Sequence, residues 1–506
     1  MAPAPVQTAG CAVRKFNLVF DPWIPALDAS GKQRLVGIRE VLLEAHRIRR
    51  ISPVSPLAEV AIHRLLVAVL HRALRGPSDS VEAADIYRAG RFPGEPIETY
   101  LNRWVDRFDL FHQDYPFYQV PDLPLDNPLP WTKLLPELSS GENPTLFDHT
   151  MDDQPPPISP AEAAIALIVH QSFVPGGLIN RLGVASGKAG HPGAAAVFLP
   201  QGASLFETLL LNLVPYGKAA GDDRPIWERD PYRKSDVEGG KARETLTGLT
   251  RIYTWMSRAV RLLLDEDGMV RRIGYGPGVT PDPGPDLDPM CAYRLTGNAP
   301  TPYRLPEDRS FWRDFEALLP GEDGWRAPRV LEHARDFLRD TERTSLLFPL
   351  VVVGQLTKQY KVLDIRREVY PLSVRALDPE PAGRIRDALE LARGVGKALH
   401  TAGRTIAEFL LSPGVAKREA DRFVDSLPLH AMYWSTLETR FPGFLEGLTT
   451  KGLEEALEEW RSAVRKAAQD AWNTTAQTVG TTPRNLEAIA RAEARLAAEL
   501  NRRLAA

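Results

Sequence analysis

The texture of the sequence changes at about residue 377, and this change limits the possible folds more than any other feature. Asp378-Pro379-Glu380-Pro381-Ala382 reads as a linker, and beyond it apolar residues return at helical spacing. Ile385, Ala388, Leu389, Ala392, Val395 and Leu399 form one stripe, and Leu453, Ala456, Leu457, Trp460, Val464, Ala467 and Ala471 form another. A helix over about 416–440, interrupted near Pro428, makes a third. Thr482-Pro483 starts the fourth, with Leu486, Ile489, Leu496 and Leu500 inward. Four such helices joined by short turns predict a four-helix bundle over 378–506.

The preceding 377 residues have no such regularity, and a chain of 506 residues is too long for one ordinary core. They predict a large, irregular, mixed domain, which makes the whole an α+β protein. Residues 14–25 read as a short strand running into a Pro-bounded turn. Ser55-Pro56 starts a helix to about Arg75 carrying Leu57, Val60, Ala61, Leu65, Ala68 and Val69. Ser159, Pro160 and Glu162 make a capping box for a helix over 160–173, ended by Pro175-Gly176-Gly177 and followed by a Gly-rich loop to Gly193. The Pro- and Gly-crowded stretches 116–134 and 276–306 are irregular, and long irregular segments in a folded protein often carry binding work.

Catalytic and metal signatures fail on inspection. Gly183 to Lys188 approaches a phosphate-binding loop, but Leu182 stands where the first glycine belongs and Ala189 follows the lysine. The ten histidines include no HExxH or paired metal spacing, and His63 and His71, eight apart on one helix, read as structural. Cys11 and Cys291 form neither a CxxC knuckle nor a disulfide framework. With no signal peptide or apolar run of membrane length, a cytoplasmic protein without metal or cofactor is expected. Sixty-two basic against 65 acidic residues give a net charge of −3, which argues against a general nucleic-acid coat but not against local basic patches.

Several short segments, in order, resemble the CasA family, the large subunits of the type I-E CRISPR Cascade surveillance complex. They are Asp21-Pro22-Trp23-Ile24-Pro25, Tyr115-Pro116-Phe117-Tyr118-Gln119, Lys133-Leu134-Leu135, Leu146-Phe147-Asp148-His149, the 160–173 helix with its Pro175-Gly176-Gly177 exit, Pro225-Ile226-Trp227, Arg251 with Trp255, and Gly354 through Leu363. Each is weak alone; their shared order and spacing across about 14–370 carry the resemblance, and the helical tail agrees in length and position. The resemblance implies a non-enzymatic subunit that contacts the crRNA 5′ handle, recognises the protospacer-adjacent motif in target double-stranded DNA and starts R-loop formation. It also implies backbone and small Cascade subunits as neighbours, and a nuclease-helicase recruited afterwards. Two other readings stay open on the residues alone: a helical protein-interaction scaffold, or an unrecognised hydrolase.

The resemblance also assigns sites. Gly176 and Gly177 match a glycine loop laid against the minor groove, where only backbone without Cβ atoms fits; the same residues also read as an ordinary helix stop. Lys188, in that loop, reads equally as a phosphate contact or as a solvated lysine. Lys358 and Gln359 match a wedge pushed under the first base pair beyond the motif, Lys358 standing where the family has asparagine; the same residues also read as a charged hairpin tip in solvent. Lys358, Lys361, Arg366, Arg367 and Arg375 against Asp364 and Glu368 give that hairpin a local charge of +3. Phe147, Asp148 and His149 match the crRNA-handle loop, with Asp148-His149 replacing Val-Asn; Phe147 reads equally as a core aromatic. Arg271, Arg272 and Arg294 are candidates for a further motif-contacting cation. Some relatives carry a cysteine cluster in this region; Cys291 stands alone here, and no metal is expected.

Overall fold

The computed structural model describes residues 16–138, 155–216, 223–296, 299–321, 324–411 and 416–504. Phe147, Asp148, His149 and Cys11 lie outside the described residues. The α+β class holds: small, mostly antiparallel sheets and helices make up the first three quarters, and long helices make up the rest.

The first strand begins at Ile24, later than expected. Residues 18–23 form a turn instead, because Asp21 accepts from the Asn17 amide (2.6 Å) and the buried Trp23 indole N–H donates to the Leu18 carbonyl (3.0 Å). Ile24–Asp28 is the central strand of a sheet with Gln33–Val36 and Ile48–Ile51. Helices Pro56–Leu74 and Pro160–Phe173 pack together in the core and start where the sequence placed them. Ser55 accepts from the Leu57 amide, and the reciprocal Ser159–Glu162 box is complete. Such caps each stabilise a helix by about 1 kcal/mol.

His63 and His71 are buried in the first of these helices and His170 in the second. Burial pushes His71 and His170 down to about 3, and His333 to about 4. The folded chain therefore keeps these rings neutral where the unfolded chain takes up protons. Stability should fall as pH drops below the unfolded histidine range near 6.5, by up to about 1.4 kcal/mol per pH unit for each histidine. Urea midpoints measured at pH 7.5, 6 and 5 check this, and a flat profile contradicts it.

The Gly-rich stretch after Phe173 is an antiparallel hairpin, Gly177–Arg181 with Val184–Gly187, rather than a loop. A longer hairpin, Leu347–Lys358 with Lys361–Ser373, is flanked by Val197–Pro200. The first strand of the long hairpin is buried from Leu350 through Leu356, so only its end emerges.

Asp378 to Ala382 is not a linker. Asp378 is the N-cap, and Pro379 and Pro381 lie in the first turn of helix Pro379–Leu410, where a missing N–H costs no hydrogen bond. The 416–440 segment breaks at Pro428 as expected, into Lys417–Ser426 and Leu429–Thr450, and the latter continues through Pro442. Leu453–Val479 and Pro483–Leu504 complete the four long helices. Ile489 and Leu496 are buried, but Leu486 faces solvent. Trp460 is buried and its indole N–H donates to the Ala388 carbonyl at 2.9 Å. Its ring meets Trp312 and Phe441, which continue the bundle core into the preceding residues. Removing a ring packed this way costs about 3–5 kcal/mol.

Candidate nucleic-acid interface

The site begins where helix Pro160–Phe173 ends. Val174 caps it, its amide donating to the His170 carbonyl, so Gly176 and Gly177 are not its stop. Gly177 has φ +126°, which glycine alone adopts easily. A Cβ on Gly176 would come within 3.0 Å of the Tyr360 ring, and one on Gly177 within 3.3 Å of the Tyr360 Cβ. The two glycines are the seat of the tip of the long hairpin.

That tip is a two-residue turn with Gln359 at φ 50° and Tyr360 at φ 65°. Both central residues of such a turn need positive φ, which is why Asn-Gly is the usual choice. Gln-Tyr is strained there, at a cost of about 1–3 kcal/mol per residue, and strain of this kind collects at functional positions. Lys358 and Lys361 face each other across the turn, and like charges in direct opposition are unfavourable until an anion separates or bridges them. Tyr360 is 69% exposed, although its ring also rests on the glycines. Sequence reasoning named Lys358 and Gln359 and missed Tyr360. A paired, non-glycine, left-handed turn leaves no signature in the residues.

Two buried side chains fix the short hairpin to the rest. Arg258, 3% exposed, donates to the Lys188 carbonyl (2.7 Å) and the Pro175 carbonyl (3.0 Å), one on each side of the hairpin. Gln355 donates to the Phe173 carbonyl (2.7 Å) and the Gly193 carbonyl (3.0 Å), tying the base of that segment to the strand that carries the tip. Arg258→Ala takes the guanidinium donor from three carbonyls, those of Lys188, Pro175 and Ser257. It should cost about 1–3 kcal/mol and speed hydrogen exchange across 175–190; unchanged exchange there would refute the anchoring role.

Around these elements lies a cleft of about 730 Å³. Lys133, Lys188, Arg243, Arg258 and Lys361 line it, and no carboxylate does among the described lining residues. In a chain of net charge −3 this is a concentrated positive surface. Arg258 is spent on backbone and Arg243 is paired with Asp282, whereas Lys188 and Lys361 have no side-chain partner among the described residues. The glycines Gly176, Gly177, Gly187, Gly240 and Gly278 keep the walls low, so backbone is within reach of a bound polymer.

The structure brings Gly176, Gly177, Lys188 and Gln359 to this cleft, with Lys358 directly before Gln359. It disperses the expected +3. Arg366 donates to the Pro306 and Arg309 carbonyls, Arg367 to the buried Glu59, and Arg375 to Thr344. The charge at the tip is that of Lys358 and Lys361. Arg271, Arg272 and Arg294 do not line the cleft. Arg271 is held by Asp265 and Asp267, and Arg294 lies over Trp325. Cys291 is buried, which pushes its thiol up, and no metal-binding group of His, Cys, Asp and Glu occurs among the described residues.

A strained, lysine-flanked hairpin tip seated on a glycine hairpin, over a cleft with no carboxylate among its described lining residues, stands ahead of a four-helix bundle. The sequence matches the CRISPR-associated protein Cse1 family over residues 17–471, and the chain belongs to that family. The CRISPR-associated protein CasA/Cse1 of Thermus thermophilus is 48% identical over 495 residues, covering 95% of this chain and 96% of the relative. A structure of Thermus thermophilus CasA (Cse1) superposes with a TM-score of 0.87 at 46% identity, over 96% of this chain and 99% of that one. A chain from a CRISPR RNA-guided surveillance complex shares the fold, with a TM-score of 0.77 at 21% identity over 95% and 99% of the two chains.

Proposed function

We propose that this chain is the non-catalytic large subunit of a type I-E Cascade complex, reading the protospacer-adjacent motif in duplex DNA and starting strand separation. The observation that carries the proposal is the cleft: five cations and no carboxylate among its described lining, with the hairpin tip and glycine hairpin at one wall. Gly176 and Gly177 present backbone to the minor groove, whose readout is degenerate, so several motifs are tolerated. Lys188 and Lys361 hold phosphates. Gln359 and Lys358, with Tyr360 behind them, form the wedge at the first base pair beyond the motif.

Phe147, Asp148 and His149 are proposed to contact the crRNA handle. Their support is the sequence resemblance, and they lie outside the described residues. We read residues 1–377 as the recognition part and 378–506 as the helical part that meets the small subunits and, after R-loop formation, helps recruit the nuclease-helicase. A cytoplasmic location follows from that role. In the cleft His170 is spent on the Leu134 carbonyl and the Tyr275 hydroxyl, which supports a non-catalytic role.

The test is reconstitution of crRNA with the other Cascade subunits, with and without this chain. Binding to duplex carrying the motif should require the chain and fall when the motif is scrambled. Equal binding with and without it overturns the proposal.

A further inference from the structure

A second charged cavity, of about 650 Å³, lies at the seam between turn Phe311–Leu318 and helices Pro379–Leu410 and Leu429–Thr450. Arg309, Arg313, Arg393 and Lys397 line it together with His400 and His430, against a single carboxylate among the described lining residues, Asp314. Two of the cations are already matched. Arg309 forks onto Asp314 (3.1 and 3.2 Å), and Arg393 donates to Glu316 (2.6 Å) and to the Arg313 carbonyl (2.9 Å).

The other two are not matched. Arg313 lies 3.7 Å over the Trp434 ring, without a carboxylate partner among the described residues, and burial and the neighbouring Arg309 both disfavour its charge. Lys397 likewise has no side-chain partner among the described residues. One helical turn further, His400 Nδ1 and His430 Nε2 are 3.1 Å apart and share one hydrogen bond. The wall is rigid: a Cβ on Gly396 would strike Trp434 at 2.6 Å, so glycine is what lets the indole seat against the helix and carry Arg313.

From this geometry we infer that the seam is a binding site for a phosphate group, held by Arg313 and Lys397 with one further N–H from the hydrogen-bonded His400–His430 pair. A carboxylate is satisfied by one guanidinium fork, as Asp314 is by Arg309. Donors converging from three elements suit an anion with several oxygens and more than one charge. Because the donors come from both sides of the seam, the ligand ties the bundle to the preceding residues. The phosphate comes from a single-stranded polynucleotide or from a free nucleotide, and the same chemistry recognises both. The site is separate from the cleft and does not depend on the reading given to the cleft.

The test is calorimetric titration of the full-length protein at low ionic strength with orthophosphate, thymidine monophosphate and a twelve-nucleotide single strand. Lys397→Gln, exposed and harmless to packing, should weaken phosphate binding about tenfold, and adding Arg313→Gln should weaken it further, since charge-assisted bonds are the strong ones. Lys466→Gln, exposed on helix Leu453–Val479 and lining neither cavity, should leave orthophosphate binding unchanged. Binding of the strand alone identifies a polynucleotide as the source, and equal binding of all three identifies free phosphate. The inference fails if no phosphate probe binds. It also fails if the double variant, with an unchanged melting temperature, binds like the parent, or if polyglutamate displaces phosphate, which makes the seam a surface for an acidic protein.

Discussion

Replacing Lys358 and Gln359 with alanine should slow R-loop formation on fully paired DNA about tenfold, if about 1.4 kcal/mol of help is lost from the barrier. The reasoning is local. Opening the first base pair unstacks one step, which costs a few kcal/mol, and a side chain occupying the gap recovers part of that cost. A target already unpaired beside the motif has no such cost, so the double variant should open it nearly normally. Negative supercoiling should partly rescue the variant on paired DNA, because it lowers the same cost by another route. Tyr360→Ala adds a separate arm. It removes the ring that seats the tip on Gly176 and Gly177, and should let the turn relax from its left-handed conformation. A defect equally large on paired and pre-melted targets means that these residues bind rather than wedge.

The second large effect is expected at the glycines. Gly177→Leu places a branched side chain at φ +126° against Tyr360, lifting the hairpin tip from its seat beside the backbone offered to the groove. Binding of the reconstituted complex to motif-bearing duplex should fall at least about tenfold, the scale of a lost groove contact. Association of the chain with crRNA and the other subunits should survive. Gly177→Ala separates crowding from strain: its Cβ makes only a 3.3 Å contact with Tyr360 but requires the same backbone angle. Loss of subunit association in both variants would place Gly177 in the scaffold instead.

How far the sequence could be read depended on where the determining contacts lie. Helix Pro160–Phe173 was legible because its start is written in adjacent residues, Ser159, Pro160 and Glu162. The bundle was legible because period and stripe repeat over four long segments. Leu486 misled because, near the start of the last helix, an apolar residue at helical spacing lies outside the contact. Asp378 to Ala382 misled because proline is as acceptable in a first helical turn as in a linker. At the candidate site the hairpin tip was found by resemblance, but its charge was misjudged. Counting Arg366, Arg367 and Arg375 as free ignores partners at Pro306, Glu59 and Thr344, which only the fold brings near. Arg243 and Arg258 join the cleft from a distant part of the chain. Most other segments that carry the resemblance turned out to be packing residues: Trp23, Phe117, Gln119, Trp227 and Trp255 are all buried.

The central claim is that this chain opens the first base pair beyond the motif. It can be followed directly with 2-aminopurine at that pair, in duplex mixed with complex containing or lacking the chain, on intact and scrambled motifs. The account predicts a fluorescence rise that requires both the chain and the intact motif and is diminished by the Lys358→Ala, Gln359→Ala double variant. A rise of equal size and rate without the chain, or on the scrambled motif, would contradict it.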